Sequence, residues 1–342
     1  MRCFILPRIM RNFLFLSLAV LGFTSVAAAQ PCTTATPECT RWVKLGGESR
    51  SLLYSNYPLD KKNEKITRAL IVVHGAGRDA DNYFRTTLAA TFLANALENT
   101  IAISPRFAAN NGGCQDTLAA NEVNWPCGGD SWRSGGVATN NGQLTSYDFM
   151  DAIVRALTRK ENFPNLKSIV ISGHSAGGQF ATRYGMANQI HDSAAVPITY
   201  VVSNPSSYSY MDPERPGGAN NELRPFGDGR NCTTYDNWPY GFKNRTGYAS
   251  KIPDDQLKKQ MAARSMTYLL GELDVLPLAG FDSSCPAMAQ GPTRLARGQA
   301  YAAYVKAKYN APHQVVVVPL CGHNARCVFT SEAALPVLFP KM

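Results

Sequence analysis

A serine flanked by glycines is the first group in this sequence that could carry out covalent chemistry. The segment Gly-His-Ser-Ala-Gly at 173–177 directly follows the apolar run Ser168–Ser172 and precedes a segment with helical spacing. A serine in a tight turn between a strand and a helix projects its hydroxyl beyond the sheet, and the helix N-terminus directs free N–H groups toward an incoming oxyanion. The pattern predicts Ser175 as a nucleophile. The alternative is a chance match in a glycine-rich turn.

A second segment adds to this pattern. Residues 71–77, Ile-Val-Val-His-Gly-Ala-Gly, end an apolar run in a glycine-containing loop. With the serine segment, they make the chain resemble the α/β-hydrolase superfamily, whose oxyanion hole uses backbone N–H groups after the third strand and after the nucleophile. The resemblance implies Ala76 and Ala176 as those donors. Since His-Gly-Ala-Gly departs from the His-Gly-Gly-Gly pattern of some members, Gly77 stays an alternative to Ala76.

A serine hydroxyl is a weak nucleophile and needs a base. His323 directly follows the last predicted strand, which is the position that the family gives its base. The other four histidines lie elsewhere. His74 belongs to the oxyanion loop, and His174 lies within the serine turn and points away from the base position. His191 ends the following helix, and His313 precedes the last strand. We therefore predict His323 as the base and His74 as a structural residue; a surface histidine is the alternative for His323.

A carboxylate must orient that imidazole and stabilise its protonated form. In the family, the acid follows a strand that lies between the serine and the histidine, and Met266–Leu270 matches that strand. Asp274 follows it and matches the family position. Glu272 and Asp282 are the rival candidates, and a solvated loop carboxylate is the alternative for each. The resemblance thus implies a catalytic triad of Ser175, Asp274 and His323.

Apolar runs alternate with segments of helical periodicity along the chain. The predicted strands are Trp42–Leu45, Arg50–Ser55, Ala69–Val73, Thr100–Ser104, Ser168–Ser172, Ile198–Ser203, Met266–Leu270 and Gln314–Leu320. The predicted helices are Asp81–Glu98, Ser146–Arg159, Gly177–Gln189, Asp254–Arg264 and Thr293–Tyr309. This order predicts the α/β class, with a mostly parallel central sheet flanked by helices, and the resemblance implies the α/β-hydrolase fold. A strand that is covered by helices on both sides needs apolar residues on both faces. We predict such strands at Leu70–Val73, Ile169–Ile171 and Val315–Val318.

Residues 204–250 interrupt the alternation. We predict that they form a cap-like insertion over the active site, within a single catalytic domain of residues 30–342. The segment carries many aromatic residues, namely Tyr208, Tyr210, Phe226, Tyr235, Trp238, Tyr240, Phe242 and Tyr248. These side chains could bind a phenolic acyl group, a sugar ring or a polymer; alternatively, they only pack the insertion.

The N-terminus is typical of an export signal. Residues 1–29 have a basic start, an apolar run of 11 residues at Phe13–Phe23, and the small residues Ala27-Ala28-Ala29 at their end. The run is too short to span a bilayer comfortably. We expect cleavage before Gln30 and a secreted or periplasmic protein without stable membrane insertion; an uncleaved anchor helix is the alternative.

The cysteines agree with export. Removal of residues 1–29 leaves eight, an even number that suits an oxidising compartment. Proximity along the chain favours the pairs Cys32–Cys39, Cys114–Cys127 and Cys321–Cys327, which leaves Cys232–Cys285. Free buried thiols are the alternative.

Composition and motifs disfavour other kinds of partner. The formal net charge of +9 is scattered along the chain, which indicates a solvated basic surface rather than a nucleic-acid partner. The sequence contains no phosphate-binding P-loop, no dinucleotide fingerprint and no zinc-protease or EF-hand motif. Its cysteines lack CxxC spacing, so we predict no metal and no cofactor.

These residues predict hydrolysis of carboxylic esters by a secreted serine hydrolase that forms an acyl-enzyme. Overall, the chain resembles secreted bacterial esterases of the feruloyl-esterase and polyester-depolymerase kind, which implies a small-molecule or polymeric ester substrate. Two further hypotheses are a serine peptidase or amidase of the same fold and a noncatalytic binding protein on a hydrolase scaffold. The presence of serine, acid and histidine disfavours the binding protein.

Overall fold

The computed structural model describes residue 1 and residues 30–128, 131–217, 222–226, 231–278 and 280–341. The predicted signal peptide at 1–29 lies outside the described residues, except for its first residue. Over the part of the chain that is described, no helix combines the length and apolar character needed to cross a bilayer.

An eight-stranded sheet forms the centre of the molecule, in the strand order β1-β2-β4-β3-β5-β6-β9-β10. Its strands are β1 (Thr40–Lys44), β2 (Arg50–Ser55), β3 (Arg68–Val73), β4 (Thr100–Pro105), β5 (Ser168–His174), β6 (Ile198–Ser203), β9 (Met266–Gly271) and β10 (Gln314–Val318). A separate antiparallel hairpin pairs β7 (Glu214–Gly217) with β8 (Glu222–Pro225). Strands β1 and β2 are antiparallel to their neighbours, and the remaining pairs are parallel. The predicted mostly parallel sheet is confirmed.

Helices connect the parallel strands and flank the sheet. They are α1 (Ala80–Leu93), α2 (Ser146–Leu157), α3 (Ala176–Ala187), α4 (Asp254–Ala263), α5 (Cys285–Met288), α6 (Arg294–Tyr309), α7 (Ala325–Phe329) and α8 (Leu335–Leu338). Short 3₁₀ turns occur at Pro37–Cys39, Trp132–Ser134 and Gly247–Lys251. The Thr293 side chain caps α6 by accepting a hydrogen bond from Ala296 N–H, which fixes where that helix begins.

Alternate residues of the central strands enter two hydrophobic clusters, one on each face of the sheet. Ile71 and Ile171 belong to one cluster, whereas Leu70 and Val170 belong to the other. Side chains alternate across a strand, so an uninterrupted apolar run supplies both faces at once. The prediction that β3 and β5 are covered on both faces is confirmed.

The same prediction is wrong for Val315–Val318. Val315 is 43% exposed and Val317 is 39% exposed, although Val318 is buried. Val315 and Val317 point to the same face of β10, which is the last strand of the sheet, and at this edge the flanking helices leave that face uncovered. One of its faces stays open to solvent.

The described residues of 204–250 pack against the body of the molecule. Tyr208 and Tyr210 are fully buried. Their ring centroids lie 4.5 and 5.2 Å from that of Tyr301 on α6, and the Trp238 indole donates a hydrogen bond to the Ser134 carbonyl. These aromatic side chains therefore act as core residues. The predicted position of the segment over the active site stays a prediction.

Four disulfides join the eight cysteines of the described chain in the predicted pairs. They are Cys32–Cys39, Cys114–Cys127, Cys232–Cys285 and Cys321–Cys327. The last of these closes the loop that contains His323.

The buried carboxylate of Asp151 connects the helices α2 and α3. Asp151 on α2 is 2% exposed and accepts hydrogen bonds from the Tyr184 hydroxyl at 2.7 Å and the Tyr248 hydroxyl at 3.0 Å. Burial raises the pKa of Asp151 to about 6, against the opposing effects of these hydroxyls and of Arg155. Loss of solvation disfavours the ionised form, which explains the direction of the change.

This carboxylate makes the stability of the fold depend on pH. Because the folded chain holds this proton more tightly than the unfolded chain, the stabilising contribution of Asp151 is greatest below about pH 4 and is lost as the pH rises through about 6. We expect the free energy of unfolding to fall by ~2–3 kcal/mol more in the wild type than in Asp151→Asn between about pH 4 and pH 7. Urea unfolding at both pH values measures this difference.

The exposed Asp60 provides the matched control. Asp60→Asn is expected to follow the wild-type pH dependence. Equal changes in the free energy of unfolding between about pH 4 and pH 7 in the wild type and in Asp151→Asn would contradict the raised pKa of Asp151.

Candidate active site

Ser175 occupies a strained turn between β5 and α3. Its backbone has φ 59° and ψ −118°, a conformation that L-residues rarely adopt and that costs on the order of 1–3 kcal/mol. The turn is held at both ends, since Ser175 N–H donates to the Ser203 carbonyl at 2.9 Å and its carbonyl accepts from Gln179 N–H at 3.0 Å. The strain and the fixed ends present the side chain at the carboxyl edge of the sheet.

Gly177 and Gly178 permit this turn because they let the backbone of α3 come close to the ends of β3 and β6. A Cβ added to Gly177 would collide with the carbonyl oxygens of Val73 and His74, and one added to Gly178 would collide with the Ser203 carbonyl. Any side chain would thus push α3 away from β3 and β6.

The loop between β3 and α1 lies beside the serine. A Cβ built on Gly75 would be 3.8 Å from the Cβ of Ser175. The N–H groups of Ala76, Gly77 and Ala176 have no hydrogen-bond partner among the described residues. These free donors adjoin the serine, as an oxyanion hole requires, and the geometry leaves both Ala76 and Gly77 available on the loop.

His74 supports this loop from beneath. Its Nε2 accepts a hydrogen bond from Phe107 N–H at 3.0 Å, so Nδ1 carries the proton and donates to the Gly75 carbonyl at 2.8 Å. Complete burial lowers the pKa of His74 to about 3. The ring is therefore neutral at ordinary pH, and its contacts are those of a structural residue.

His323 and Asp274 are in direct contact. His323 lies in the loop after β10 and donates from Nδ1 to Asp274 Oδ2 at 2.8 Å. Asp274 follows β9 and is 2% exposed. Leu273 N–H donates to the Cys321 carbonyl at 2.9 Å, which joins the two loops. Ser175 and His323 line the same cleft, so the structure brings all three predicted residues to one edge of the sheet.

The rival carboxylates have other partners. Glu272 accepts a hydrogen bond from Leu320 N–H at 2.9 Å. Asp282 accepts from the Tyr240 hydroxyl at 2.7 Å and also bonds Ser284. Neither bonds to His323, so the contact with the imidazole distinguishes Asp274 from both.

The expected orientation of His174 is wrong. Instead of pointing away, its ring lies 4.5 Å from the ring of His323, and its Nδ1 is 3.3 Å from the Tyr83 hydroxyl. Alternation along β5 explains this placement, since residues 170 and 174 share the face that packs against α7. Burial, and secondarily His323 and Arg294, holds the pKa of His174 well below its usual range.

Two groups that bind Asp274 were missed at the level of sequence. Asn204, which follows β6, donates from Nδ2 to Asp274 Oδ2 at 2.6 Å and accepts from Gly271 N–H at 3.0 Å. Arg294, at the start of α6, donates from Nη1 to Asp274 Oδ1 at 3.4 Å. No local pattern marks contacts between residues so far apart in the chain.

The cleft beside Ser175 has a volume of about 410 Å³. Its lining consists mostly of glycine and hydrogen-bonding side chains, namely Gly75, Ala76, Gly77, Asp79, Asn82, Tyr83, Thr86, His174, Ser175, Gly280, His323, Asn324, Ala325 and Arg326. None of the described residues in 204–250 is among them. Over the same described part of the chain, no group of three or more His, Cys, Asp or Glu side chains is placed to hold a metal ion.

Solved structures with the same architecture carry hydrolase names. A poly(3-hydroxybutyrate) depolymerase, LpqC, from Bordetella parapertussis is 19% identical, with a TM-score of 0.59 and coverage of 85% of this chain and 84% of that chain. Poly(aspartic acid) hydrolase-1 from Sphingomonas sp. KT-1 is 22% identical, with a TM-score of 0.59 and coverage of 84% and 94%. At this level of identity, the similarity establishes the fold. No curated protein sequence matches the chain.

A family model described as the alpha/beta hydrolase family matches residues 70–336. This range contains the serine turn, both loops that carry Asp274 and His323, and the parallel part of the sheet. The resemblance seen in the sequence is confirmed, and the chain belongs to the alpha/beta hydrolase family.

Proposed function

We propose that the protein hydrolyses carboxylic esters, with Ser175 as nucleophile, His323 as base and Asp274 as the acid of a catalytic triad. The observation that carries the proposal is the 2.8 Å contact between His323 Nδ1 and the buried Asp274 carboxylate, in a cleft that Ser175 also lines. This contact fixes the tautomer of the imidazole, because Nδ1 must carry the proton. Nε2 is then free to accept the proton of the serine hydroxyl.

The reaction follows from these positions. Ser175 Oγ attacks the ester carbonyl carbon while its proton moves to His323 Nε2, and the carbonyl oxygen becomes an oxyanion. The N–H groups of Ala176 and of Ala76 or Gly77 stabilise that charge. The tetrahedral intermediate then breaks its bond to the alcohol, which leaves with the proton from His323. Water then gives a proton to the same imidazole and attacks the acyl carbon of the acyl-enzyme. The second tetrahedral intermediate breaks its bond to Ser175 Oγ, which takes the proton back from His323 as the acid leaves.

The cleft favours small polar esters over long aliphatic ones. Among the described residues that line it, there is no Leu, Ile, Val, Met or Phe. Several residues of its rim are exposed, among them Ala76, Asn82, Asn324 and Arg326, so the cleft opens to solvent. An open cleft without large aliphatic side chains in its described lining can accept a short acyl group or one unit of a polymer, and we therefore include polymeric esters of short hydroxy acids. A shared fold with a poly(3-hydroxybutyrate) depolymerase is compatible with this substrate class.

We further propose that the protein is exported. The eight cysteines after residue 29 are all joined in disulfides, which form and persist in oxidising compartments. The basic and apolar segment at the start of the chain supplies a signal of the expected kind.

Removal of the nucleophile is the first test of the proposed chemistry. We expect Ser175→Ala to lower kcat for p-nitrophenyl acetate by at least ~10³-fold, because the acyl-enzyme can no longer form. The wild type, but not the variant, should react with a fluorophosphonate probe. Ser250→Ala is the matched control, since Ser250 is exposed and bonds only the Gly247 carbonyl.

The outcomes separate the competing functions. Full esterase activity in Ser175→Ala would contradict the proposal. A wild type that labels with the probe and cleaves p-nitroanilide amides, but no ester, would indicate a peptidase or amidase. A folded wild type that neither labels nor cleaves would indicate a binding protein.

The assignment of the acid has its own test. Asp274→Asn is expected to lower kcat by ~10³–10⁴-fold, because an amide opposite Nδ1 favours the wrong imidazole tautomer. Glu272→Gln, which removes the rival carboxylate two residues earlier, is expected to stay within about threefold of the wild type. Ester hydrolysis by the purified variants measures both effects. A larger loss in Glu272→Gln than in Asp274→Asn would move the acid to Glu272.

The lining of the cleft predicts the acyl-chain preference. For p-nitrophenyl esters, we expect kcat/KM to be highest for acetate to butyrate and at least ~10-fold lower for dodecanoate, because the additional methylene groups find no enclosed apolar surface to bury. Initial rates below the micelle concentration of each ester measure the profile. A maximum at the long-chain esters would show that an apolar acyl site exists elsewhere around Ser175.

A further inference from the structure

The carboxylate of Asp274 is held by three separate parts of the chain. Oδ2 accepts hydrogen bonds from His323 Nδ1 at 2.8 Å and from Asn204 Nδ2 at 2.6 Å. Oδ1 accepts from Arg294 Nη1 at 3.4 Å. The side chains of Asp274 and Arg294 are 1% and 0% exposed. The partner of the base is thus shared between an imidazole and a fully buried guanidinium.

The guanidinium of Arg294 is itself fixed. Its Nε donates to Ser206 Oγ at 2.7 Å, and it stands over the Phe281 ring at 5.2 Å. Its Nη2 has no hydrogen-bond partner among the described residues. Burial lowers the pKa of Arg294, and the nearby Asp274 carboxylate opposes that change.

A buried ion pair of this kind is a weak source of stability, because desolvation of both charges offsets their attraction. The position of Arg294 favours a role at the active site instead. As the first residue of α6, with its helix start fixed by Thr293, it reaches the oxygen of Asp274 that His323 does not use. Two directional contacts on one carboxylate prevent its rotation about the Cβ–Cγ bond.

We propose that Arg294 is a positioning residue for the proposed triad: it fixes the Asp274 carboxylate and weakens the hold of the His323–Asp274 pair on a proton. The proposal rests on the proposed function only in making His323 the base. A positive charge on the far side of the carboxylate disfavours a second positive charge on the imidazole. Removal of the Arg294 charge is therefore expected to raise the pH at which the His323–Asp274 pair takes up a proton.

Coulomb's law gives the size of the effect. Removal of a unit charge that lies on the order of 7 Å away, on the far side of one carboxylate, is expected to move the protonation of the pair by about one pH unit at an effective dielectric constant of about 40, and by nearly two at about 20. The sign is independent of where the proton resides in the His323–Asp274 pair, since removing a positive charge raises the proton affinity of both groups. Loss of the Arg294 charge must therefore move the titration upward.

Other titratable groups surround the pair, and none can replace Arg294. The groups on the neighbouring elements are His174, Tyr83, Tyr208, Asp79, Asp282, Arg297 and Arg326. Burial keeps His174 neutral, and it raises the pKa of Tyr83 and Tyr208, so these three do not change charge near neutral pH. Among the described residues, only Arg294 forms an ion pair of a Lys or Arg with Asp274.

The pH profile of kcat/KM tests the charge. We expect the acid limb of the profile to lie about one pH unit higher in Arg294→Gln than in the wild type. Arg294→Lys keeps the charge and cannot reproduce both contacts, so its acid limb is expected to stay near the wild-type position while its plateau kcat falls ~10-fold. Near-UV circular dichroism and thermal unfolding establish that each variant is folded.

Arg297 supplies a matched control on the same helix. It is buried as Arg294 is, but it donates to the carbonyl oxygens of Ser206 and Asp282 rather than to Asp274. Arg297→Gln is therefore expected to move the acid limb much less than Arg294→Gln. Equal shifts in the two variants would overturn the specific role of Arg294. If Arg294→Gln does not fold, Arg294→Lys alone decides. Either a plateau kcat equal to that of the wild type or a shifted acid limb of its kcat/KM profile would overturn the proposal.

A second readout does not require turnover. The His323 ¹³Cε1 resonance, assigned by its loss in His323→Gln, can be titrated by NMR in the wild type and in Arg294→Gln. An upward shift of about one unit supports the proposal even if the protein hydrolyses no ester. An unchanged titration overturns it, and esterase activity that depends on Ser175 would then leave the proposed function standing.

Discussion

Close backbone contact around Ser175 is the constraint on which the rest of the site depends. The strained φ of the serine persists because its N–H is bound by the last residue of β6 and its carbonyl by the first turn of α3. Glycines at 177 and 178 let the helix touch the ends of β3 and β6. Because β3 and β6 flank β5 in the parallel part of the sheet, the loops that follow them are brought to the same edge as the serine hydroxyl.

The proposed acid and the proposed base reach that edge by the same topology. Asp274 follows β9 and His323 follows β10, and these strands pair in parallel register. A loop-to-loop hydrogen bond and the Cys321–Cys327 disulfide then restrict the two segments. Restriction matters here because a base that is misplaced by about 1 Å can lose ~10²-fold in rate. The sheet supplies coarse placement, and the loop contacts supply the fine placement.

The sequence was sufficient for features that depend on local pattern. Apolar runs and helical periodicity located the strands of the central sheet and its longer helices, and the glycines around Ser175 indicated the turn. It was insufficient where contacts join distant segments. Arg294 meets Asp274 only because α6 starts beside the end of β9, and no spacing encodes that meeting. Val315 looked like a buried strand residue, yet its exposure depends on β10 being at the edge of the sheet.

Burial and charge distinguish the two adjacent imidazoles of His174 and His323 as candidates for the base. Its ring lies 4.5 Å from that of His323, but it has no carboxylate partner among the described residues, and burial disfavours its protonated form. His323 bonds the Asp274 carboxylate, and Arg294 bonds the other oxygen of that carboxylate. A base must accept a proton in the transition state and release it afterwards. Burial without a carboxylate leaves His174 poorly suited to that task, whereas the Asp274 carboxylate would stabilise the imidazolium that forms at His323 during the proposed reaction. Arg294 bears on His323 through the same carboxylate, since it binds the other carboxylate oxygen.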